Sequence, residues 1–223
     1  MQSAEVRLDF RTREQAAYDY LRRAIVLGTW GPHEPIVGSR VAGELGVSRI
    51  TIANALKRLA GEGFVRLVPH KEATVNLLSA AEIEETYTLR ATLEAEVAFL
   101  LAQRAAPSDV AELWRLNRRV GQVKSAGDVT IIRAADFDLH RRMRELVGMP
   151  RLADLVGNLA DNCEYYRARL LDTSGLALPT SEGHLALVEA IESHAAERAR
   201  ELGREHVLGG MRSILAVLQA GAA

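Results

Sequence analysis

Cysteine is nearly absent from this chain. A single Cys163 cannot close an internal disulfide, so no disulfide framework holds the fold and a reducing compartment, the cytoplasm, is expected. The thiol is expected to serve as a small buried hydrophobe. Aromatic residues make up only 5%, while Ala, Leu, Arg and Glu prevail, a balance that favours helices over sheets. No run approaches the roughly 20 apolar residues that span a bilayer, so no membrane association is expected. The opening MQSAEVRLDFRTREQ lacks the apolar stretch of a secretory signal. No repeat or low-complexity segment stands out. The net charge is only −1, which by itself announces no polyanionic partner.

What is present reads as two parts. With 223 residues the chain exceeds the usual size of one domain, and 48% hydrophobic with 26% charged residues fits a globular protein with a real core. Residues 1–75 hold 11 Lys/Arg against 8 Asp/Glu, a net of +3, and the remainder 17 against 21, a net of −4. A mildly basic front and an acidic rear fit a DNA-binding module joined to something else. The expected division is 1–78 and 79–223.

The front part carries the richest pattern, IVGSRVAGELGVSRITIANALKRLAGEGFVRL over residues 36–67. Residues 12–27 place Ala17, Leu21, Ala24 and Ile25 on one stripe, predicting an amphipathic helix capped by Thr12 or Asp9 and ended by Gly28. Gly31-Pro32 then sets a turn. A short second helix is predicted over 40–45, with Val41, Ala42 and Leu45 inward. Gly46 suits the left-handed turn that follows, and Ser48 the N-cap of a third helix that buries Ile52, Ala55, Leu56 and Leu59. The runs 64–68 and 73–75 read as two strands about the turn Pro69-His70-Lys71-Glu72. Three helices followed by a hairpin describe a winged helix-turn-helix, which places one helix in the DNA major groove.

Burying that face of the third helix leaves Ser48, Arg49, Thr51, Asn54 and Lys57 outward. Arg and Asn can grip guanine and adenine edges in bidentate fashion; Ser, Thr and Lys suit phosphates. An ordinary solvated helix face is the alternative for one helix alone. The complete three-helix and wing arrangement favours DNA.

Here the chain resembles the GntR family of bacterial transcription regulators. The resemblance rests on 21-LRRAI-25 to Gly28, 45-LGVSR-49, 55-ALKRL-59 and 62-EGFV-65, all in one register. It implies that Arg40, His70 and Lys71 join the DNA-facing set. It also marks departures. Ser39 and Ala53 stand where the family commonly has Arg, and Glu72 where it has a wing-tip Gly. The scaffold is shared; the reading surface is this chain's own.

From Ser79 onward the pattern is helical. Ser79 with Glu82 forms a capping box. Helices are predicted over roughly 80–104, 108–126, 129–147, 150–172 and 181–220, the last broken or bent near His194 or Gly203. Within ADFDLH, Asp136 and His140 lie four apart and share a helical face. A carboxylate oxygen with an imidazole nitrogen suits a divalent metal such as Zn, Ni, Mn or Fe; a surface Asp–His contact is the alternative. His184 opens a later helix and His206 follows 22 residues on, but spacing does not say which histidines converge.

The segments 136-DFDLH-140, 182-EGHL-185, Ala190-Ile191 and His206 resemble the ligand pattern of the FCD domain, the ligand-binding part of the FadR subfamily. The resemblance implies a mainly α fold, a winged helix-turn-helix followed by an all-helical bundle. It implies Asp136, His140, His184 and His206 as metal ligands, with zinc the first expectation, and leaves His194 outside the set at a surface or helix end. Open metal positions would take the carboxylate of a small organic acid. An Arg would add a bidentate grip, Arg90 first and Arg133 or Arg167 next. For Arg90 a helix-surface pair with Glu94 is the alternative. Tyr165 and Tyr166 read as core or pocket wall.

The function expected is a metabolite-responsive transcription regulator, not an enzyme. A homodimer would bind a near-palindromic operator, and a carboxylate metabolite would release it, as in a repressor. A metal-dependent hydrolase using the same Asp and His residues is the runner-up, though no general base can be placed from spacing. A helical domain that binds acyl compounds without metal is the third.

Overall fold

The computed structural model describes residues 13–69, 71–124, 129–174 and 181–221. Two compact units follow one another, Met1–Leu77 and Leu78–Ala223.

The first unit begins with α1, Arg13–Val26, which buries Ala17, Tyr18, Leu21, Ala24 and Ile25. The expected caps Thr12 and Asp9 lie outside the described residues. Gly28, at φ 80°, turns the chain out of α1 while its N–H donates to the Ile25 carbonyl. Helix α2, Gly38–Leu45, starts two residues earlier than the sequence pattern predicts and ends on Gly46 at φ 63°. That left-handed position is where Gly carries no Cβ penalty. Helix α3, Arg49–Gly61, is capped by Ser48, whose hydroxyl accepts the Thr51 N–H. It buries the four expected residues, Ile52, Ala55, Leu56 and Leu59.

The hairpin consists of β2, Val65–Arg66, and β3, Ala73–Val75. It is shorter than the run 64–68 implies, since Leu67 and Val68 are exposed. A strand the sequence does not announce, β1 at Pro35–Ile36, pairs antiparallel with β3 and gives the order β1-β3-β2. Two residues are too few to show a period of two; only the pairing of Ile36 with Ala73 defines the strand. Tyr18 ties the ends of the unit together. Its hydroxyl donates to Glu62 at 2.5 Å and accepts from Arg22 at 2.7 Å, with Arg58 3.7 Å over its ring. Burial, and then the Glu62 bond, push the phenol up to about 12.

The second unit is a helical bundle: α4 Ala80–Arg104, α5 Pro107–Lys124, α6 Val129–Leu146, α7 Pro150–Ser174, α8 Ser181–Glu192 and α9 Ala196–Gly221. The Ser79–Glu82 capping box opens α4. Leu101, Leu113, Leu139, Val188 and Ile191 centre the core, and Cys163 is buried as a small hydrophobe should be. The final helical stretch is broken at His194, one of the two positions expected, and forms two helices. His194 takes φ 55° in the turn between α8 and α9, and its Nδ1–H donates to the Ala102 carbonyl, 2.8 Å away. Gly203 does not bend anything. It lies within α9, where an added Cβ would meet Ala98 Cβ at 3.1 Å and the Glu94 carbonyl at 3.3 Å. It is a point of close approach between α4 and α9. Among the described residues no helix is long and apolar enough to cross a membrane.

Candidate metal centre and nucleic-acid interface

Three helices of the bundle deliver the candidate centre. Asp136 and His140 project from one face of α6, His184 from the first turn of α8, and His206 from α9. Asp136, His140 and His184 are buried, and His206 is partly so. The His140 and His184 Nε2 atoms are 3.1 Å apart, and those of His184 and His206 3.3 Å. Asp136 Oδ1 lies 3.3 Å from His184 Nε2 and 3.9 Å from His140 Nε2. All four residues singled out in the sequence therefore come together.

The donor set fits a divalent metal. Bonds of about 2.0–2.1 Å at octahedral to tetrahedral angles separate neighbouring ligand atoms by roughly 2.8–3.4 Å, close to most of the distances here. A neutral imidazole offers one N–H and one lone pair, so three Nε2 atoms facing one point are poorly served by each other alone. Burial, and then the neighbouring His184 and His206, hold His140 well below the usual imidazole range. The neutral ring that results is the form a metal requires.

Two residues near this cluster have no place in the expected set. Glu94 of α4 puts Oε2 3.6 Å from His140 Nδ1, on the side away from the other imidazoles. Its other oxygen accepts from Arg90 Nε at 2.7 Å. Arg90 and Glu94 are indeed paired, but the pair is buried, not on the helix surface. Burial opposes the Arg90 charge, yet Glu94 and then Cys163 and Tyr87 outweigh it and hold the guanidinium further up. Arg144 of α6 is likewise buried. Its signal in the sequence is spacing: it stands four residues after His140, as His140 stands four after Asp136.

The remaining candidates are placed otherwise. Arg133 donates to Glu164 at 2.5 Å, which commits it to an α6–α7 contact. The side chains of Arg167 and Tyr166 lie outside the described residues, and Tyr165 is buried. His194, exposed in its turn, takes no part in the cluster.

In the first unit, Ser48 and Thr51 spend their hydroxyls on each other, 2.8 Å apart, at the start of α3. Arg49, Lys57 and Lys71 line one open cleft between α3 and the wing, with Ser39, Ala53 and Glu72. Glu72 turns back to accept the Gly38 N–H at 3.2 Å, where α2 has no side-chain cap of its own. Asn54 reaches Glu14 of α1 at 3.3 Å, and Arg40 pairs with Glu44 on the surface. His70 lies outside the described residues. Sequence reading passed over Ile50, which is 73% exposed at the first turn of α3. An apolar side chain there suits a thymine methyl.

The comparisons with known proteins agree with this division. The FCD domain family matches residues 85–209, and the family described as bacterial regulatory proteins, gntR family, matches residues 13–75. An HTH-type transcriptional regulator of Agrobacterium vitis is 37% identical over 95 residues, 43% of this chain. The match spans 56% of that relative's length. The Nta operon transcriptional regulator of Aminobacter aminovorans is 28% identical over 84% of this chain and 88% of its own. The solved structure of Escherichia coli McbR/YncC superposes with a TM-score of 0.77 at 20% identity, covering 95% of this chain and 99% of that one. A regulator from Rhodococcus sp. RHA1 gives 0.75 at 21%, over 92% and 98%. At such identities the two structures speak for the fold.

Proposed function

We propose, from the premise that this chain belongs to the gntR family of bacterial regulatory proteins and carries an FCD domain, that its binding to an operator is governed by a small organic acid held at a metal centre. The chain is a transcription regulator with an N-terminal DNA-binding domain. The finer reading rests on one observation: three imidazole Nε2 atoms and the Asp136 carboxylate converge in the bundle at spacings a divalent ion would impose.

Asp136, His140, His184 and His206 would hold the ion, with zinc expected first. When bound, it supplies concentrated positive charge to which a carboxylate can coordinate. The residues of the chain do the rest. Glu94 stands behind His140 and orients the ring, as outer partners of metal-bound histidines do. Arg90 keeps Glu94 in place and adds positive charge to the pocket. A homodimer would present two α3 helices to a near-palindromic operator, in the cytoplasm, and act as a repressor released by the acid. The acid can shift that equilibrium only through unequal affinity for the DNA-bound and free forms.

The hydrolase reading is set aside, because the family and the relatives are transcription regulators. Glu94, the carboxylate beside His140, is also already bonded to Arg90.

The test is a gel-shift titration on the chain's own upstream DNA, with metal-replete and chelator-treated protein and a panel of carboxylic acids. The reading expects an acid that weakens the shift only with metal-replete protein. An acid that acts equally on chelated protein would overturn the metal part, and no response to any acid the effector part.

A further inference from the structure

Arg144 follows His140 by one turn of α6, so Asp136, His140 and Arg144 recur every four residues along one buried stripe of that helix. Arg144 is 5% exposed. Among the described residues no hydrogen bond holds its guanidinium and no carboxylate comes within ion-pair distance. The acidic groups whose fields reach it are Glu94, Asp161 and Glu145. Glu94 is already taken by Arg90 at 2.7 Å, and Glu145 is on the exposed side of the helix, where it pairs with Arg142. The Phe137 ring, 5.9 Å from Arg144 Cζ, is at the outer limit of a cation–π contact.

A buried charge without a partner is costly. Lysine or histidine could escape by losing a proton, but arginine stays charged. The cost persists until an anion arrives. Charge around the centre indicates what kind. Arg90 and Glu94 cancel each other. Asp136 cancels half the charge of a divalent ion held by three neutral imidazoles. One positive charge then remains at the imidazole cluster and another at Arg144. Four residues of helix set the two levels about 6 Å apart along α6, a separation that a short chain with an acid at each end can bridge.

We infer that Arg144 is a second anion-binding residue of this site and that the effector is a small dicarboxylate. One carboxylate faces the His140–His184–His206 cluster and the other takes the Arg144 fork in bidentate fashion. This deepens the organic-acid reading above and rests on it.

Calorimetric titration of the zinc-loaded full chain, with metal content measured afterwards, tests it. Succinate and glutarate are compared with butyrate and pentanoate, acids of equal length with one carboxylate fewer. The diacids should bind at least about tenfold tighter, the worth of a charge-assisted pair. Arg144→Gln should bring them down to the monoacids, leave the monoacids unchanged, and leave the ligand-free unfolding temperature equal or higher, because an uncompensated charge is gone. Arg144→Lys should restore part of the preference. Equal binding of diacids and monoacids overturns the Arg144 assignment alone. So does a Gln variant that keeps the preference, or one that loses both acid classes together with ligand-free stability. Binding of none of the four acids overturns the organic-acid reading along with it.

Discussion

His140 and His184, 44 residues apart in the chain, bring their Nε2 atoms to 3.1 Å of each other inside the helical bundle. His206 adds a third nitrogen at 3.3 Å from His184. Ring nitrogens this close, on three different helices, are held by the packing of the bundle or by something bound between them.

Metal content distinguishes these. His184→Ala combined with His206→Ala should remove bound metal, read by elemental analysis of the purified protein, and lower the unfolding temperature of the metal-loaded form towards that of chelated wild type. Ligand that binds only the folded state stabilises it, by about 2.7 kcal/mol at a hundred times the dissociation constant. Unchanged metal content would place the ion elsewhere.

Acid should act through His140. Its folded-state pKa is depressed by burial and by His184 and His206, below the unfolded value near 6.5. Between those two values the unfolded chain binds the extra proton, so stability is present above about pH 6.5 and is lost as pH falls towards the folded pKa. For one such group the slope approaches about 1.4 kcal/mol per pH unit. Chelated protein scanned by urea unfolding from pH 7.5 to 5.5 should weaken accordingly. His140→Gln should flatten that part of the profile, and an unaltered slope in the variant would assign it to other groups.

Gly203 is expected to tolerate nothing larger. A Cβ there meets Ala98 Cβ at 3.1 Å and the Glu94 carbonyl at 3.3 Å, and the carbonyl cannot rotate away. Gly203→Val should cost about 1–3 kcal/mol in urea unfolding, the range for overpacking. Because Glu94 belongs to the same contact, metal affinity should fall with it. A neutral substitution would mean that α4 and α9 can separate freely.

On the DNA side, Arg49→Ala should weaken operator binding by about 1–3 kcal/mol and relax preference at one base pair if the guanidinium reads a base edge. Loss spread evenly over all sequences would make it a phosphate contact. Glu72→Gln should act in the opposite direction. It removes a negative charge from the cleft that holds Arg49, Lys57 and Lys71, while the Gln amide oxygen can still accept the Gly38 N–H. Footprinting titrations should show tighter binding, most clearly at low salt.

Much of the fold is legible in the residues. The α3 stripe of Ile52, Ala55, Leu56 and Leu59, the Gly46 turn, the Ser48 cap and the Ser79–Glu82 box all depend on contacts within about one or two helical turns. The misread elements depend on distant partners. Strand β1 exists through its pairing with β3, and Gly203, the other position where a break or bend near the end of the chain was expected, is instead packed inside α9 against Ala98 and the Glu94 carbonyl. Arg90 with Glu94 was legible as a pair, but its burial was not, since charges four apart look alike on either face of a helix.

By itself the sequence determined two things about this protein: a winged helix-turn-helix ahead of a helical domain, and the four residues Asp136, His140, His184 and His206 as one set by family likeness. Local periodicity and capping suffice for the first, and a recurring motif for the second. Tertiary structure alone decided which charges surround that set. It brought Glu94 behind His140, committed Arg133 to Glu164, and buried Arg144 with no ion pair among the described residues. The physical reason is that a helix face is fixed by spacing, whereas the charge that faces it belongs to another helix, and only packing joins the two.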